Sequence, residues 1–123
     1  MSKESFKISP KNRLNSFKYA FKGLEIMFRT EPNFRLHILA ALLAVLFGIY
    51  YNLSVLEWIL VTIVIGFVIV SEIFNSSVER IADFISPERH DEIGIIKDLC
   101  AAMVLVAAIV SIIVGLIIFV PKF

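Results

Sequence analysis

The chain has 123 residues, of which 59% are hydrophobic, and its mean hydropathy is +0.86. This composition excludes an ordinary soluble protein and predicts an integral membrane protein of one domain. The net charge of +1 gives no indication of nucleic-acid binding, and the single cysteine, Cys100, excludes an internal disulfide.

The first 30 residues predict a polar tail and a surface helix. Residues 1–10 are polar and end in Pro10, so we expect a mobile tail. In residues 11–30, apolar side chains recur at three- and four-residue steps between Leu14 and Phe28, with most lysines on other faces. This pattern predicts an amphipathic helix at the membrane surface. The alternative is an ordinary surface helix packed on a core.

Three apolar segments follow, at about residues 34–51, 55–81 and 97–120. Because a helix needs about 20 apolar residues to cross a bilayer, each segment predicts a membrane span. Eight of the twelve Lys and Arg residues precede residue 36, and none lies in the first connection. The positive-inside rule then places the N-terminus and the second connection in the cytoplasm and the C-terminus outside. We expect an all-α membrane protein that carries its polar site on the cytoplasmic side.

A stripe of polar residues continues the second span in the stretch SEIFNSSVERIAD. At about 100° per residue, one helix face carries Glu72, Asn75, Ser76, Glu79 and Asp83. Glu72 and Glu79 lie about 10.5 Å apart along the axis, too far to share one ion without other ligands. Two roles fit better: Glu72, deep in the membrane, as general base on a lipid hydroxyl, and Glu79 as a ligand of Mg²⁺.

Three further polar residues are expected at the same cytoplasmic level. Glu31 precedes the first span, and Lys97 and Asp98 begin the third. If the helices bundle, these side chains and Glu79 form an acceptable phosphoryl-transfer set, with carboxylates for metal and an ammonium for phosphate charge.

Structural explanations remain open for the same residues. Glu72 and Asn75 fit interhelical hydrogen bonding, Asp83 fits a solvated helix end, and Lys97 fits an interfacial anchor. His37 and His90 are interpreted as interfacial polar residues, because no Cys/His cluster indicates zinc.

The segments EIFNSSVERIAD and IKDLCAAMVLV, preceded by RTEPNFRLH and LEW, resemble the small prokaryotic diacylglycerol kinase/undecaprenol kinase family. The resemblance covers about residues 13–121. It implies a homotrimer of three-span chains, each with an N-terminal surface helix, with composite active sites at the cytoplasmic face of a bacterial membrane. It also implies transfer of the γ-phosphate of ATP, with Mg²⁺ as cofactor, to a membrane lipid alcohol.

The resemblance assigns roles to individual positions. Glu72 matches the general base, and Glu31 and Glu79 match metal-coordinating carboxylates. The positions that match nucleotide contacts are Tyr19, Glu31, Asn75, Glu79, Glu88, Arg89, His90, Lys97 and Asp98. The positions that fall at the lipid and interfacial site are Phe17, Lys22, Phe34, Arg35 and Glu57. A family arginine near the nucleotide corresponds to Arg13 or Asn12.

The sequence predicts an ATP-dependent lipid kinase. The ending GLIIFVPKF and the segment RTEPNFRLH look closer to undecaprenol kinases, so undecaprenol is the expected acceptor and diacylglycerol the alternative. Outside the enzymes, a small ion-coupled carrier would use Glu72 as an intramembrane proton site. A carrier needs polar groups along its whole path, whereas the outer half of every span is almost purely apolar except for Glu57. The carrier hypothesis is therefore disfavoured. A structural subunit whose polar stripe binds a partner helix is a third hypothesis.

Overall fold

A computed structural model describes residues 9–88 and 90–123, and every regular element in these ranges is helical. The elements are α1 (Pro10–Thr30), α2 (Pro32–Tyr50), α3 (Val55–Ile85) and α4 (Asp91–Phe119), followed by a 3₁₀ turn at Val120–Lys122. Residues 1–8 of the expected tail, and Arg89, lie outside the described residues.

The chain divides into two compact units, one ending at Pro32 and the other formed by Asn33–Phe123. In the first unit, α1 begins where the Ser9 side chain accepts a hydrogen bond of 3.1 Å from the backbone N–H of Asn12. It ends at Glu31, whose extended backbone is the conformation favoured before a proline. The helix expected over residues 11–30 is therefore present, and its location at a membrane surface stays a prediction.

The second unit contains the helices that can span a membrane. In the described chain, three are long and apolar enough: Pro32–Tyr50, Val55–Ile85 and Asp91–Lys122. The last starts six residues before the expected position 97, because Asp91 and Glu92 form its first turn, where the helix dipole favours carboxylates. The three expected spans are thus confirmed in number and composition.

The turn between α2 and α3 is closely packed. Asn52 adopts a left-handed backbone with φ of 54°, and Ser54 begins α3 with a reciprocal capping box to Glu57. Gly48 is buried against this turn, and a Cβ at that position would lie 2.6 Å from Cη2 of Trp58. Glycine is required there because the indole ring occupies the space of a side chain.

The hydrophobic core of the second unit lies beside that turn. Its buried members are Leu53, Val61 and Ile118, contributed by the turn, α3 and α4. Trp58 and Phe119 pack against them. Lys122, just after α4, forms an ion pair of 2.9 Å with Glu57 near the start of α3. The end of α4 is therefore fixed to the start of α3, and the polar stripe lies toward the other end of α3.

Candidate active site

The two ends of the polar stripe of α3 differ in burial. Glu72 and Ser76 are only 4% and 3% exposed, whereas the side chain of Asp83 is 63% exposed. Asn75 and Glu79 are intermediate. The stripe therefore runs from the interior of the helix bundle to its surface, which gives its two glutamates different surroundings.

Glu72 is contacted by a residue of another helix. Nε2 of His37, in the second turn of α2, lies 3.0 Å from Oε1 of Glu72. This is an ion-pair distance, although the contact lacks the alignment of a hydrogen bond at Oε1. His37 was interpreted from the sequence as an interfacial polar residue, and its contact with Glu72 was not predicted. The positions of the two residues in the sequence could have indicated it. His37 lies near the start of the first apolar segment and Glu72 lies late in the second, so both lie at the same end when the two helices are antiparallel.

The middle of the stripe contains two further polar groups, the Asn75 amide and the Ser76 hydroxyl. Within the described residues, Oδ1 of Asn75 is buried and accepts no hydrogen bond. Leaving a buried amide oxygen without a donor typically costs about 1–3 kcal/mol, so such a group calls for an explanation. One turn away, Nε of Arg80 donates to the Ser76 hydroxyl at 3.3 Å. An amide oxygen at this position fits a ligand that brings its own hydrogen-bond donor or cation.

A polar pocket of about 300 Å³ lies between the last turns of α3 and the first turns of α4. It is lined by Glu79, Ser86, Pro87, Glu88, Ile93, Lys97, Asp98 and Ala101. The structure thus brings together four residues expected to contact nucleotide: Glu79, Glu88, Lys97 and Asp98. The polar pocket combines carboxylate oxygens, which bind hard cations, with one ammonium group, which binds phosphate.

Lys97 has a partner in this region. Its Nζ donates to Oδ1 of Asp83 at 2.6 Å, and the two side chains are 37% and 63% exposed. Asp83 was predicted to lie at a solvated helix end, and its carboxylate binds the ammonium group of Lys97, a residue of the polar pocket.

The remaining predicted residues are dispersed. In the first unit, Phe17, Tyr19 and Lys22 are exposed on α1, and Glu31 is half-buried at its C-terminal end. In the second unit, Phe34 is buried and Arg35 exposed, while His90 is the exposed N-cap residue of α4. Asn12 and Arg13, the candidates for the family arginine, lie in the first turn of α1.

Glu57 is not brought near the other site residues. It lies 22 positions before Glu79 on the same helix, or about 33 Å along the axis. Its carboxylate accepts from the Ser54 backbone at 3.0 Å and binds Lys122. These contacts give Glu57 a structural role at the opposite end of α3.

The carboxylates of the polar pocket fit Mg²⁺ only as a partial ligand set. Among the described residues, no group of three or more His, Cys, Asp and Glu side chains is close enough to hold a metal. Mg²⁺ commonly takes one or two protein carboxylates and completes its shell with phosphate oxygens and water. The carboxylate of Glu79 in this pocket therefore suits an ion that arrives with a nucleotide.

An apolar cavity of about 240 Å³ lies between α2, α3 and α4. Small residues of α2 (Ala40, Ala41 and Ala44) and Gly115 of α4 leave this space open. His37 lines the end of the cavity nearest the start of α2. The cavity therefore leads through an apolar interior to the residue that contacts Glu72.

Together these features define a small helical membrane protein with a buried carboxylate below a polar, phosphate-compatible pocket. The model of the prokaryotic diacylglycerol kinase family matches residues 18–119. The chain belongs to this family, and it is therefore a lipid kinase with ATP as phosphate donor.

Individual relatives agree with this membership. The chain is 36% identical over 116 residues to undecaprenol kinase from Bacillus subtilis, covering 91% of this chain and 94% of that protein. It is 35% identical over 95 residues to diacylglycerol kinase from Escherichia coli, covering 77% and 78% of the two chains. It is 35% identical over 107 residues to diacylglycerol kinase from Haemophilus influenzae, covering 86% and 91%.

Proposed function

We propose that the chain phosphorylates undecaprenol at the expense of ATP and produces undecaprenyl phosphate. The observation that supports this acceptor is the 36% identity to an undecaprenol kinase over almost the full length of both chains. The relatives named diacylglycerol kinase reach nearly the same identity, so diacylglycerol, which would give phosphatidic acid, is the second candidate acceptor.

The proposed reaction starts at Glu72. The lipid hydroxyl approaches from the bilayer, and the Glu72 carboxylate removes its proton as the oxygen attacks the γ-phosphorus in line. The bond from the γ-phosphorus to the bridging oxygen breaks, and ADP leaves. Burial of Glu72 supports this role, because a base that is 4% exposed excludes water as a competing acceptor.

The nucleotide is assigned to the polar pocket. Lys97 offsets charge on the phosphates, and Asp98 and Glu88 contact the rest of the nucleotide. The grouping of these residues with Glu79 supports this assignment. Following the family resemblance, Tyr19, Asn75, Arg89 and His90 are proposed as further nucleotide contacts. Phe17, Lys22, Phe34, Arg35 and Glu57 are proposed for the lipid and interfacial site.

Glu79 and Glu31 are proposed as the carboxylates for Mg²⁺. When bound, this ion would neutralise charge on the β- and γ-phosphates. The polarity of the pocket around Glu79 supports the first of these ligands.

The proposed assembly is a homotrimer with composite sites in the bacterial cytoplasmic membrane. Its N-terminus and active site face the cytoplasm, because most basic residues precede the first span or lie in the second connection. Two observations support assembly. The family resemblance implies the trimer, and large apolar side chains such as Leu46 and Ile117, more than 60% exposed on α2 and α4, leave apolar surface for contact with lipid or with other copies of the chain.

The decisive experiment compares the two acceptors directly. Purified protein in mixed micelles is given γ-labelled ATP with undecaprenol or diacylglycerol at matched mole fractions. We expect kcat/KM for undecaprenol to exceed that for diacylglycerol by about tenfold or more, equivalent to roughly 1.4 kcal/mol. A preference for diacylglycerol would show that diacylglycerol is the acceptor. Transfer of phosphate to neither lipid would contradict the proposed reaction.

A further inference from the structure

We infer that His37 is a positioning residue for Glu72, holding the carboxylate at the end of the apolar cavity. The inference rests on the proposed role of Glu72 as base. It starts from a single contact, the 3.0 Å separation between Nε2 of His37 and Oε1 of Glu72.

Burial makes a partner for Glu72 necessary. Its side chain is 5% exposed, and a carboxylate removed from water is stable only when paired or hydrogen-bonded. Because His37 is on α2 and Glu72 on α3, their contact also fixes the carboxylate relative to a second helix. Imidazole suits this position, since its neutral form is polar and carries both a donor and an acceptor.

The cavity places His37 between an apolar space and the carboxylate. Of the side chains that line the cavity in the described chain, His37 alone is titratable. The other polar one, Ser111, donates its hydroxyl to the Ala108 carbonyl at 2.8 Å. A lipid hydroxyl that enters through this space therefore meets the imidazole of His37 directly beside Glu72.

The geometry predicts an effect on turnover. The His37–Glu72 contact has the distance of a hydrogen bond without its alignment, as is common for catalytic contacts before substrate binds. Alignment on binding the hydroxyl would fix one carboxylate oxygen and orient the other toward the reacting proton. Loss of His37 should then lower kcat and leave KM for ATP unchanged, since the polar pocket lies at other residues.

The contact can be tested without activity. The chain contains two histidines, so protein labelled with ¹⁵N-histidine gives signals from only His37 and His90. We expect Glu72→Gln to move the Nε2 signal of His37 and to leave the signals of His90, an exposed residue, in place. An unchanged His37 signal would overturn the inference.

Kinetics then test the role in positioning. We expect His37→Leu to reduce kcat by about tenfold, less than the roughly 10²–10⁴-fold contributed by a group that itself transfers the proton. His37→Gln should recover most of this loss, because its amide nitrogen can occupy the place of Nε2. The control is Thr62→Val, which removes an exposed hydroxyl bonded to the Trp58 carbonyl and should retain the wild-type rate.

The possible failures are distinct. Equal kcat in wild type, His37→Leu and His37→Gln would overturn the positioning role while leaving the proposed function intact. An equal loss in both variants would overturn the role assigned to Nε2, because the glutamine amide would then fail to replace it. If the wild-type protein transfers phosphate to neither acceptor, the proposed function fails, and the histidine spectrum alone decides whether Glu72 is held by His37.

Discussion

The ammonium of Lys97 lies 2.6 Å from the Asp83 carboxylate, which joins the first turns of α4 to the last turns of α3 beside the polar pocket. Asp83 therefore limits the positions open to a flexible side chain that is assigned to the phosphates of ATP.

Asp83→Asn should raise KM for ATP about threefold with little change in kcat. The pair is partly exposed, and such pairs contribute roughly 0–1 kcal/mol, which sets the scale of the effect. Lys97→Met, which removes the ammonium itself, should produce the larger loss. Initial rates over a range of ATP concentrations measure both. Glu25→Gln, which breaks the exposed pair between Glu25 and Arg29 on α1, is the matched control. A lower KM in Asp83→Asn would show that Asp83 competes with the phosphates.

Glu72→Gln should abolish nearly all phosphorylation, with a loss of about 10²–10⁴-fold in kcat. The amide has almost the same volume as the carboxyl group and cannot accept the proton. Circular dichroism and size-exclusion chromatography in detergent should show unchanged helix content and assembly. Turnover near the wild-type rate would remove Glu72 from the mechanism.

Glu79→Gln and Glu31→Gln should each raise the Mg²⁺ concentration needed for half-maximal rate. Each loses an anionic oxygen of the kind that Mg²⁺ prefers. A Mg²⁺ titration at saturating ATP measures this requirement, and Glu92→Gln, in the first turn of α4, serves as control. If both variants titrate like the wild type, the two glutamates are not the ligands.

Gly48→Ala should destabilise the protein by about 1–3 kcal/mol through overpacking. The new Cβ would lie 2.6 Å from Trp58 Cη2 and 2.9 Å from Leu53 Cδ1, so the turn must shift. Gly66→Ala is the control, since its Cβ meets nothing within 4 Å and alanine is the better helix former. Thermal unfolding in detergent should separate the two variants, and equal stability would show that the turn can accommodate a methyl group.

Local patterns were sufficient for the helices of this chain. Hydrophobic length predicted three spans, and the three helices α2, α3 and α4 are long and apolar enough to cross a membrane. The spacing of Glu72, Asn75 and Glu79 predicted one polar face, and all three residues lie on α3. The apolar span was expected to end near 81 and the polar stripe was placed on the same helix through Asp83; α3 continues to Ile85, just before Ser86 and Pro87.

Contacts between helices were not predictable in the same way. The pairs His37–Glu72 and Asp83–Lys97 join residues of different helices. Sequence periodicity gives the face of each residue on its own helix and not the rotation of one helix against another. The charges of these residues and their depth along the helices are compatible with both pairs. Which residues pair is determined by the packing of the helices.

The length of α3 has a mechanical consequence. At about 1.5 Å per residue, its 31 residues extend about 46 Å, whereas the hydrocarbon layer of a bilayer is about 30 Å thick. One continuous helix thus carries both the capped, ion-paired Glu57 and the proposed base, Glu72. With the Glu57 end anchored at one surface, the immersion of Glu72 below the opposite headgroups depends on bilayer thickness and helix tilt. If Glu72 is the base, as proposed, we therefore expect the rate of phosphorylation to depend on the lipid composition of the membrane.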